Sequence, residues 1–217
     1  MSKKRGIGDL PARKSVIDAA LALERAGFAP NKSGNVSCRI DDGFIVTPAA
    51  LPYASLAPKD LVSMSLNGER ISGRHRPSSE WAMHAAIYRA RADAIAVVHT
   101  HSPHATALSA TRLGIPPIHY MIAMAGGAIR CAPYATFGTS SLANLAVAAL
   151  DGRLGALLAN HGVVTIGSTV ARALAVAVEV ENLARQYLLI LASGQAPVLL
   201  ADAELAVVIE KLADYGR

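Results

Sequence analysis

Aromatic residues are scarce in this 217-residue chain, and long uncharged apolar runs are scarce too. Phe, Trp and Tyr make up 5% of the sequence, so Ala, Val, Leu and Ile must fill most of the core. The longest apolar segment, residues 170–192, contains Arg172, Glu179, Glu181 and Arg185, and these charges argue against a membrane span. No apolar segment of the kind found in signal peptides follows the basic start of the chain. We therefore expect a cytoplasmic protein with no membrane partner.

Cysteine is scarce as well, and neither of the two residues belongs to a C-x-x-C motif. Cys38 and Cys131 lie far apart in sequence, which favours free thiols in a reducing compartment over a disulfide. The net charge is +5, but the basic residues form no stripe with interleaved aromatic residues. This distribution argues against nucleic-acid binding and is compatible with an anionic small molecule, such as a phosphorylated substrate.

Short periodic apolar segments are abundant. Hydrophobic residues make up 52% of the chain and charged residues 17%, as in globular proteins, and the length suits one domain over residues 1–217. The segments predict an α/β sandwich with a mainly antiparallel sheet and hairpin turns such as Asp41–Gly43. No G-x-G-x-x-G motif follows a predicted strand, so a dinucleotide-binding fold has no support.

The same periodicity gives approximate element bounds. The predicted helices are residues 13–26, 81–88, 103–114, 140–150, 169–192 and 203–214. The predicted strands are residues 36–40, 44–47, 61–66, 69–71, 95–98, 118–122, 128–132, 154–159 and 163–166. Ser78 or Ser79 is expected to cap the second helix, Ser102 the third and Thr139 the fourth.

Histidines stand at the ends of two predicted strands. His99 and His101 follow the apolar run 95–98, and alternate residues of a strand project to the same face. His161 closes another apolar strand, and Gly162 after it allows a sharp turn. Three such histidines at one sheet edge could form a three-histidine site with an open position, the arrangement of catalytic zinc. The spacing alone also permits half-buried histidines that only make hydrogen bonds.

Polar residues at the start of the second helix could complete such a site. Glu80 suits the positive end of a helix, or it could be a general base fixed beside a metal. His84 faces the same way as Glu80 and is a rival metal ligand. The hydroxyls of Ser78–Ser79 and the free amides there form a potential phosphate cradle. The turn at Gly34–Asn35 could supply further amide donors or be an ordinary turn.

Several sequence blocks, taken together, resemble the class II aldolase/adducin family. The blocks occur in the family's order between about Ser15 and Tyr215: S-G-N-V-S-C-R, R-P-S-S-E-W-A-M-H, A-V-V-H-T-H-S-P-H-A-T-A-L, I-H-Y-M-I-A-M-A-G-G, P-Y-A-T-F-G-T and A-N-H-G-V. The resemblance implies a three-layer sandwich, with helices on both sides of the sheet. It further implies a homotetramer with one Zn²⁺ per subunit and sites at subunit interfaces. The implied reaction is retro-aldol cleavage of a ketose 1-phosphate, such as L-fuculose 1-phosphate, to dihydroxyacetone phosphate and an aldehyde.

The resemblance also implies roles for individual residues of the metal site. His99, His101 and His161 match the family's zinc histidines. Glu80 matches its catalytic acid/base, which also ligates zinc before the substrate arrives. Tyr120 matches a catalytic tyrosine that a neighbouring subunit offers to the aldehyde oxygen.

Other matching positions belong to the substrate. Phe137 and Tyr215 match residues that line the aldehyde end of the pocket. The positions that match phosphate-binding residues are Gly34, Asn35, Ser78 and Ser79. The chain departs from the family pattern T-P-T-G-I-P, because Ala49 lacks a hydroxyl donor and Ala50 adopts a positive φ only at a cost.

The resemblance leaves alternatives open. A 5-deoxyribulose or 5-methylthioribulose 1-phosphate could replace fuculose phosphate as substrate. The same fold also serves sugar-phosphate epimerases, decarboxylases and dehydratases. Adducin-like members are non-catalytic interaction modules, which we expect to lack the metal histidines.

Overall fold

The computed structural model describes residues 9–214, and the side chains of residues 9–212. Eight strands of this region form one sheet: β1 (Asn35–Ile40), β2 (Gly43–Val46), β3 (Val62–Met64), β4 (Arg70–Ser72), β5 (Ala96–Thr100), β6 (Arg130–Ala132), β7 (Gly155–Leu158) and β8 (Gly162–Gly167). The spatial order is β4-β3-β2-β1-β5-β8-β7-β6. Every neighbouring pair is antiparallel except β6 and β7, which confirms the predicted mainly antiparallel sheet.

Helices cover both faces of the sheet. They are α1 (Asp9–Arg25), α2 (Trp81–Ala90), α3 (Pro103–Ala110), α4 (Ser140–Ala149), α5 (Val170–Ser193) and α6 (Asp202–Asp214). Buried residues of α2 and α4 pack on one face, and those of α1, α3, α5 and α6 pack on the other. The protein is therefore a three-layer α/β sandwich. Within the described residues, no helix combines the length and apolar character that crossing a membrane requires.

Strand alternation decides which side chains of β5 face α2. Ala96 and Val98 pack in the α1 and α5 layer, whereas Val97 packs with α2 and α4. His99 is two residues after Val97, so it projects into the α2 layer. Asn35 of β1 is the register partner of His99 and lies beside it on the same sheet. The start of α2 thus faces the ends of two neighbouring strands.

The segment predicted as a strand over residues 118–122 is helical instead. Residues Tyr120–Ala125 form a 3₁₀ helix, and the Nδ1 atom of His119 caps it by accepting a hydrogen bond from the Met121 N–H at 3.2 Å. The predicted strand was wrong because its alternating apolar residues are too few to fix a period. The buried residues, Ile122, Ala123 and Ala125, follow a helical rather than an alternating spacing.

Side-chain caps begin two of the helices, α4 and α5. The hydroxyl of Thr139 accepts a hydrogen bond from the Leu142 N–H at 3.2 Å, as predicted for α4. Thr169 caps α5 in the same way, at 3.1 Å from the Arg172 nitrogen. Ser102 occupies the cap position of α3 without a side-chain cap bond. The two cysteines are free thiols.

Candidate metal centre and adjoining cavities

Backbone pairing between β5 and β8 brings His161 to the end of β5. His161 lies in the short turn between β7 and β8, and Thr100 is paired with Val163. A Cβ atom on Gly162 would lie 2.3 Å from the Thr100 carbonyl oxygen, so only glycine permits this approach. The left-handed residue of the turn is Asn160, with a φ of 55°. The sequence argument for Gly162 was therefore wrong in its reason: close strand packing, not the turn, requires the glycine.

Three imidazoles and one carboxylate converge at this point. The ring centroids of His99, His101 and His161 lie 4.9–5.0 Å apart in edge-on contacts. The Nε2 atoms of His99 and His101 are 3.0 Å apart. The Glu80 carboxylate lies 2.9 Å from Nε2 of His99 and 3.4 Å from Nε2 of His161. One ligand atom from each residue lies within 4.8 Å of all the others.

The chemistry of these atoms fits a divalent metal ion. The Nδ1 atom of His99 lies 2.8 Å from the Val163 carbonyl oxygen, which can only accept, so Nδ1 carries the proton. The lone pair on Nε2 then points into the cluster, and a backbone partner of this kind commonly orients metal-binding histidines. The Glu80 Oε1 atom is buried and accepts no hydrogen bond. Clustered nitrogen and oxygen acceptors of this type are the ligands that zinc prefers.

Burial and mutual contact shift the protonation of these groups. Burial, helped by the neighbouring His99, lowers the pKa of His101 and of His161 to about 4, so both offer lone pairs at neutral pH. Burial alone would raise the pKa of Glu80 and lower that of His99. Their attraction outweighs burial, so the pKa of Glu80 falls well below its usual range and that of His99 rises. A proton between Glu80 and His99 therefore competes with a metal.

Glu80 occupies the cap position of α2 rather than its first turn. The predicted serine cap does not form: the hydroxyl of Ser78 instead accepts a hydrogen bond from the Glu80 N–H at 3.3 Å. The backbone of Glu80 is not helical, with a φ of −103° and a ψ of 15°, and its carboxylate lies on the buried side of the helix. Only 4% of Glu80 is exposed, so its position beside the histidines is fixed by packing.

His84 lies outside the metal cluster. Its ring is fully buried, and both nitrogens have other partners: Nδ1 lies 2.6 Å from the Ser37 hydroxyl, and Nε2 lies 2.5 Å from Oδ1 of Asn35. The amide nitrogen of Asn35 donates to Glu80 Oε2 at 3.2 Å. Burial lowers the pKa of His84 to about 3, so the ring is neutral. His84 is therefore not a rival ligand but a neighbour of the residue that contacts Glu80.

A small cavity of about 130 Å³ lies on one side of Glu80. The lining residues are Lys32, Ser33, Gly34, Asn35, Pro48, Ala49, Ala50, Ser78, Ser79 and Glu80. The volume equals about four water molecules at about 30 Å³ each, enough for one oxyanion group. The cavity brings together all four positions that the sequence assigned to phosphate. It also adds Lys32 and Ser33, to which the sequence analysis assigned no role.

The Ala49–Ala50 loop keeps an unusual backbone. Ala50 has a φ of 63°, although its Cβ makes this conformation unfavourable by about 1–2 kcal/mol. The expected obstacle to a positive φ is thus overcome by the surrounding structure. Nearby, the Tyr53 hydroxyl donates a hydrogen bond to the Gly34 carbonyl and ties together two sides of this cavity.

Glu80 also lines a larger cavity of about 320 Å³. Its lining residues are Ser33, Ser79, Glu80, His101, Tyr134, Ala135, Phe137, Asn160 and His161. Phe137 and Tyr134 are largely exposed and form an apolar rim around the metal cluster. Sequence reasoning gave Tyr134 and Asn160 no role, although each lies inside one of the quoted sequence blocks. Glu80 therefore lines both cavities, and His101 and His161 line the larger one.

One sequence-assigned residue, Tyr120, is not part of this arrangement. Tyr120 is 51% exposed and is not among the residues that line either cavity of its own chain. Such a position is compatible with a side chain that acts on another copy. Tyr215 lies outside the described residues.

Comparison with known proteins gives the same family across most of the chain. The family described as "Class II Aldolase and Adducin N-terminal domain" matches residues 14–188. The L-fuculose phosphate aldolase of Escherichia coli (strain K12) is 45% identical over 204 residues, which cover 94% of each chain. A 5-methylthioribulose-1-phosphate/5-deoxyribulose-1-phosphate aldolase of Rhodospirillum rubrum is also 45% identical, over 94% of this chain and 92% of its own.

A solved structure has the same fold. A crystal structure described as L-fuculose 1-phosphate aldolase superimposes with a TM-score of 0.90 at 35% sequence identity. The superposition covers 94% of this chain and 97% of the other. The two folds therefore agree over nearly their full lengths.

Proposed function

The chain belongs to the class II aldolase/adducin family, and from this premise we propose that it is a zinc-dependent aldolase that cleaves a ketose 1-phosphate to dihydroxyacetone phosphate and an aldehyde. The observation that carries the proposal is the convergence of His99, His101 and His161 with Glu80, which lines two adjoining cavities. A non-catalytic module would have no need of four acceptors at one point, two of them on buried residues. The proposed substrate is L-fuculose 1-phosphate or a close analogue.

His99, His101 and His161 would hold one Zn²⁺ ion per subunit. When bound, it would supply a Lewis acid that stabilises the negative charge developing on the ketose oxygens as the C3–C4 bond breaks. Glu80 would complete the ligand set before the substrate arrives. Since its carboxylate is ionised, Glu80 adds the negative charge that favours a cation at this point.

Glu80 is the proposed acid/base at carbon 3. In the cleavage direction, the electron pair of the C3–C4 bond remains on the dihydroxyacetone phosphate fragment, and a proton must then be added to C3. A Glu80 carboxyl that has taken up a proton would deliver it, and in synthesis the carboxylate would remove it. Because Glu80 is buried, this proton is shielded from bulk water.

Tyr120 of a neighbouring subunit is the proposed partner for the other proton. The hydroxyl on C4 must lose its proton as the aldehyde forms, and a phenol close to that oxygen could accept or relay it. Because Tyr120 is exposed and outside the cavities of its own chain, this role requires a homo-oligomer with sites at its interfaces. We propose the homotetramer that the resemblance implies, and a cytoplasmic location.

The two cavities divide the substrate between them. The 130 Å³ cavity would hold the phosphate through the amides and hydroxyls around Gly34, Asn35, Ser78 and Ser79. The 320 Å³ cavity would hold the aldehyde end against Phe137. The phosphate anchor fixes the distance from C1 to Glu80 and the metal ligands, so C3 is presented to the carboxylate.

The apolar rim favours a second candidate substrate. Tyr134, Ala135 and Phe137 form one side of the larger cavity and offer few polar partners for hydroxyl groups. A 5-deoxyribulose or 5-methylthioribulose 1-phosphate has an apolar tail that suits this surface. A relative with 45% identity bears the name of such an aldolase.

The decisive experiment is a substrate panel on purified, zinc-loaded protein. Release of dihydroxyacetone phosphate is measured with a coupled reductase for L-fuculose, 5-deoxyribulose and 5-methylthioribulose 1-phosphates. The proposal expects release from at least one of them and loss of release after chelation, restored by Zn²⁺. A fully zinc-loaded protein that releases no triose phosphate from any member would refute the proposal. The ratio of kcat/KM values then separates the two candidate substrates.

A further inference from the structure

A row of buried hydrogen bonds runs from the core of α2 to the Glu80 carboxylate. Tyr88 contacts the Ser37 hydroxyl at 2.7 Å, and Ser37 contacts Nδ1 of His84 at 2.6 Å. On the other side of the ring, Nε2 of His84 lies 2.5 Å from Oδ1 of Asn35. The Asn35 amide nitrogen then reaches Glu80 Oε2 at 3.2 Å. All five residues are buried.

The chemistry of the groups fixes the direction of every bond in this row. A carboxylate only accepts, so Asn35 must turn its NH₂ group toward Glu80 and its carbonyl oxygen toward His84. That oxygen also only accepts, so His84 must carry its proton on Nε2. Nδ1 then has a lone pair, and the Ser37 hydroxyl must donate to it. The Ser37 oxygen in turn accepts a hydrogen bond from the Tyr88 hydroxyl.

The imidazole of His84, with its proton on Nε2, therefore stabilises the Asn35 amide orientation that Glu80 requires. If the amide turned over, its oxygen would face the Glu80 oxygen, and its NH₂ group would face a ring N–H. Both contacts would be repulsive, and no water can relieve them at a fully buried ring. The backbone of Asn35 is held by its pairing with β5 opposite His99, so only the amide can turn.

We propose that His84 is a positioning residue of the active site. Through the oriented amide of Asn35, it holds the Glu80 carboxylate in the position from which the proton moves. The proposal rests on the proposed aldolase function. Asn35 also lines the 130 Å³ cavity, so the same amide connects the position of Glu80 with the proposed phosphate site.

The test compares two substitutions that differ in a single donor. His84→Gln keeps an N–H donor at about the reach of Nε2, whereas His84→Leu has similar bulk and no donor. We expect His84→Leu to lower kcat about 10–100-fold at unchanged zinc stoichiometry, the usual range for residues behind a metal ligand. His84→Gln should recover kcat to within about fivefold of the wild type.

A structural control lies on the same helix. Ile87 is fully buried and takes no part in the row of hydrogen bonds. Ile87→Val should lower Tm and leave kcat of the folded protein within about twofold. Equal kcat values for His84→Leu and the wild type would overturn the proposal, and so would equal losses in His84→Leu and His84→Gln.

A neutron crystal structure of the wild type gives an independent readout if a variant fails to fold. The proposal expects deuterium on Nε2 of His84 and an ND₂ group of Asn35 facing Glu80. Deuterium on Nδ1 with none on Nε2 would overturn it. Failure of the aldolase assignment looks different: the zinc-loaded wild type would release no triose phosphate, whatever the neutron structure shows.

Discussion

The metal centre and the small cavity beside it consist of different kinds of residue. At the metal centre, four side chains converge, and Glu80 and His99 are almost fully buried. In the small cavity, most lining residues have small side chains, among them Ser78 and Ala49–Ala50, and Ser79 is exposed. We therefore expect the function of the metal centre to depend on which residues it contains. The function of the small cavity should depend more on its shape. Substitutions should be severe in the metal centre and mild in the small cavity.

The largest effect is expected from loss of a metal ligand. His101→Ala should abolish stoichiometric zinc binding and lower kcat/KM by about 10³-fold or more, because Lewis-acid stabilisation is worth several kcal/mol. Metal analysis and the coupled assay measure both effects. His75→Ala, at a loop histidine in contact with Asp60, is the control and should retain zinc. Full zinc occupancy in His101→Ala would remove His101 from the ligand set.

Glu80→Gln should separate chemistry from metal binding. The amide keeps the shape of the side chain but cannot shuttle a proton, so kcat should fall by about 10²–10⁴-fold. Three imidazoles remain, and we expect zinc to stay bound. Kinetics and metal analysis of the same preparation provide the test. A variant that keeps wild-type kcat would show that the proton moves through another group.

The pH dependence of metal binding follows from the proton that Glu80 and His99 share. Zinc must displace this proton, so its apparent affinity should fall about tenfold per pH unit below the raised pKa of His99. His101 and His161, whose pKa values are lowered to about 4, should add to this slope only in more acidic solution. Competition titrations with a zinc chelator between pH 5 and pH 8 measure the slope. A flat profile would show that no ligand proton is released.

A substitution in the small cavity should have a milder effect. Ser79→Ala removes one hydroxyl donor from the proposed phosphate site, and a hydrogen bond to a charged group is worth about 1.5–3 kcal/mol. We expect KM to rise roughly 10-fold while zinc content and kcat change little. Ser72→Ala on the exposed strand β4 is the matched control. A large loss of zinc in Ser79→Ala would contradict the separation of the metal centre from the small cavity.

The smallest effect concerns the strained loop. Ala50→Gly relieves the positive φ and should raise the free energy of unfolding by about 1 kcal/mol, because the relief exceeds the added freedom of glycine in the unfolded chain. Ala49→Gly has no such strain to relieve and should lower the free energy of unfolding by about 0.5–1 kcal/mol. Urea denaturation of both variants measures the difference. Equal destabilisation by the two glycines would show that Ala50 is not strained.

Sequence reasoning was reliable where one physical rule dominated. The period of two in the 95–98 strand placed His99 and His101 together, and the threonine cap of α4 was predicted from its residue type. Errors occurred where several rules compete in a short segment. Residues 118–122 were predicted as a strand, but Tyr120 begins a 3₁₀ helix, because five residues contain too few apolar positions to fix a period.

The amino-acid sequence alone was enough to predict the α/β architecture, the strand-end histidines and, through its motifs, the family. Those features depend on local periodicity and on residue chemistry, which can be read along the chain. The three-dimensional structure was needed to show that His84 faces Asn35 instead of the metal cluster. It was also needed to show that the Thr100 carbonyl of another strand requires glycine at position 162. Both depend on distances between segments far apart in sequence. Such distances are set by strand register and helix packing, which no local pattern encodes.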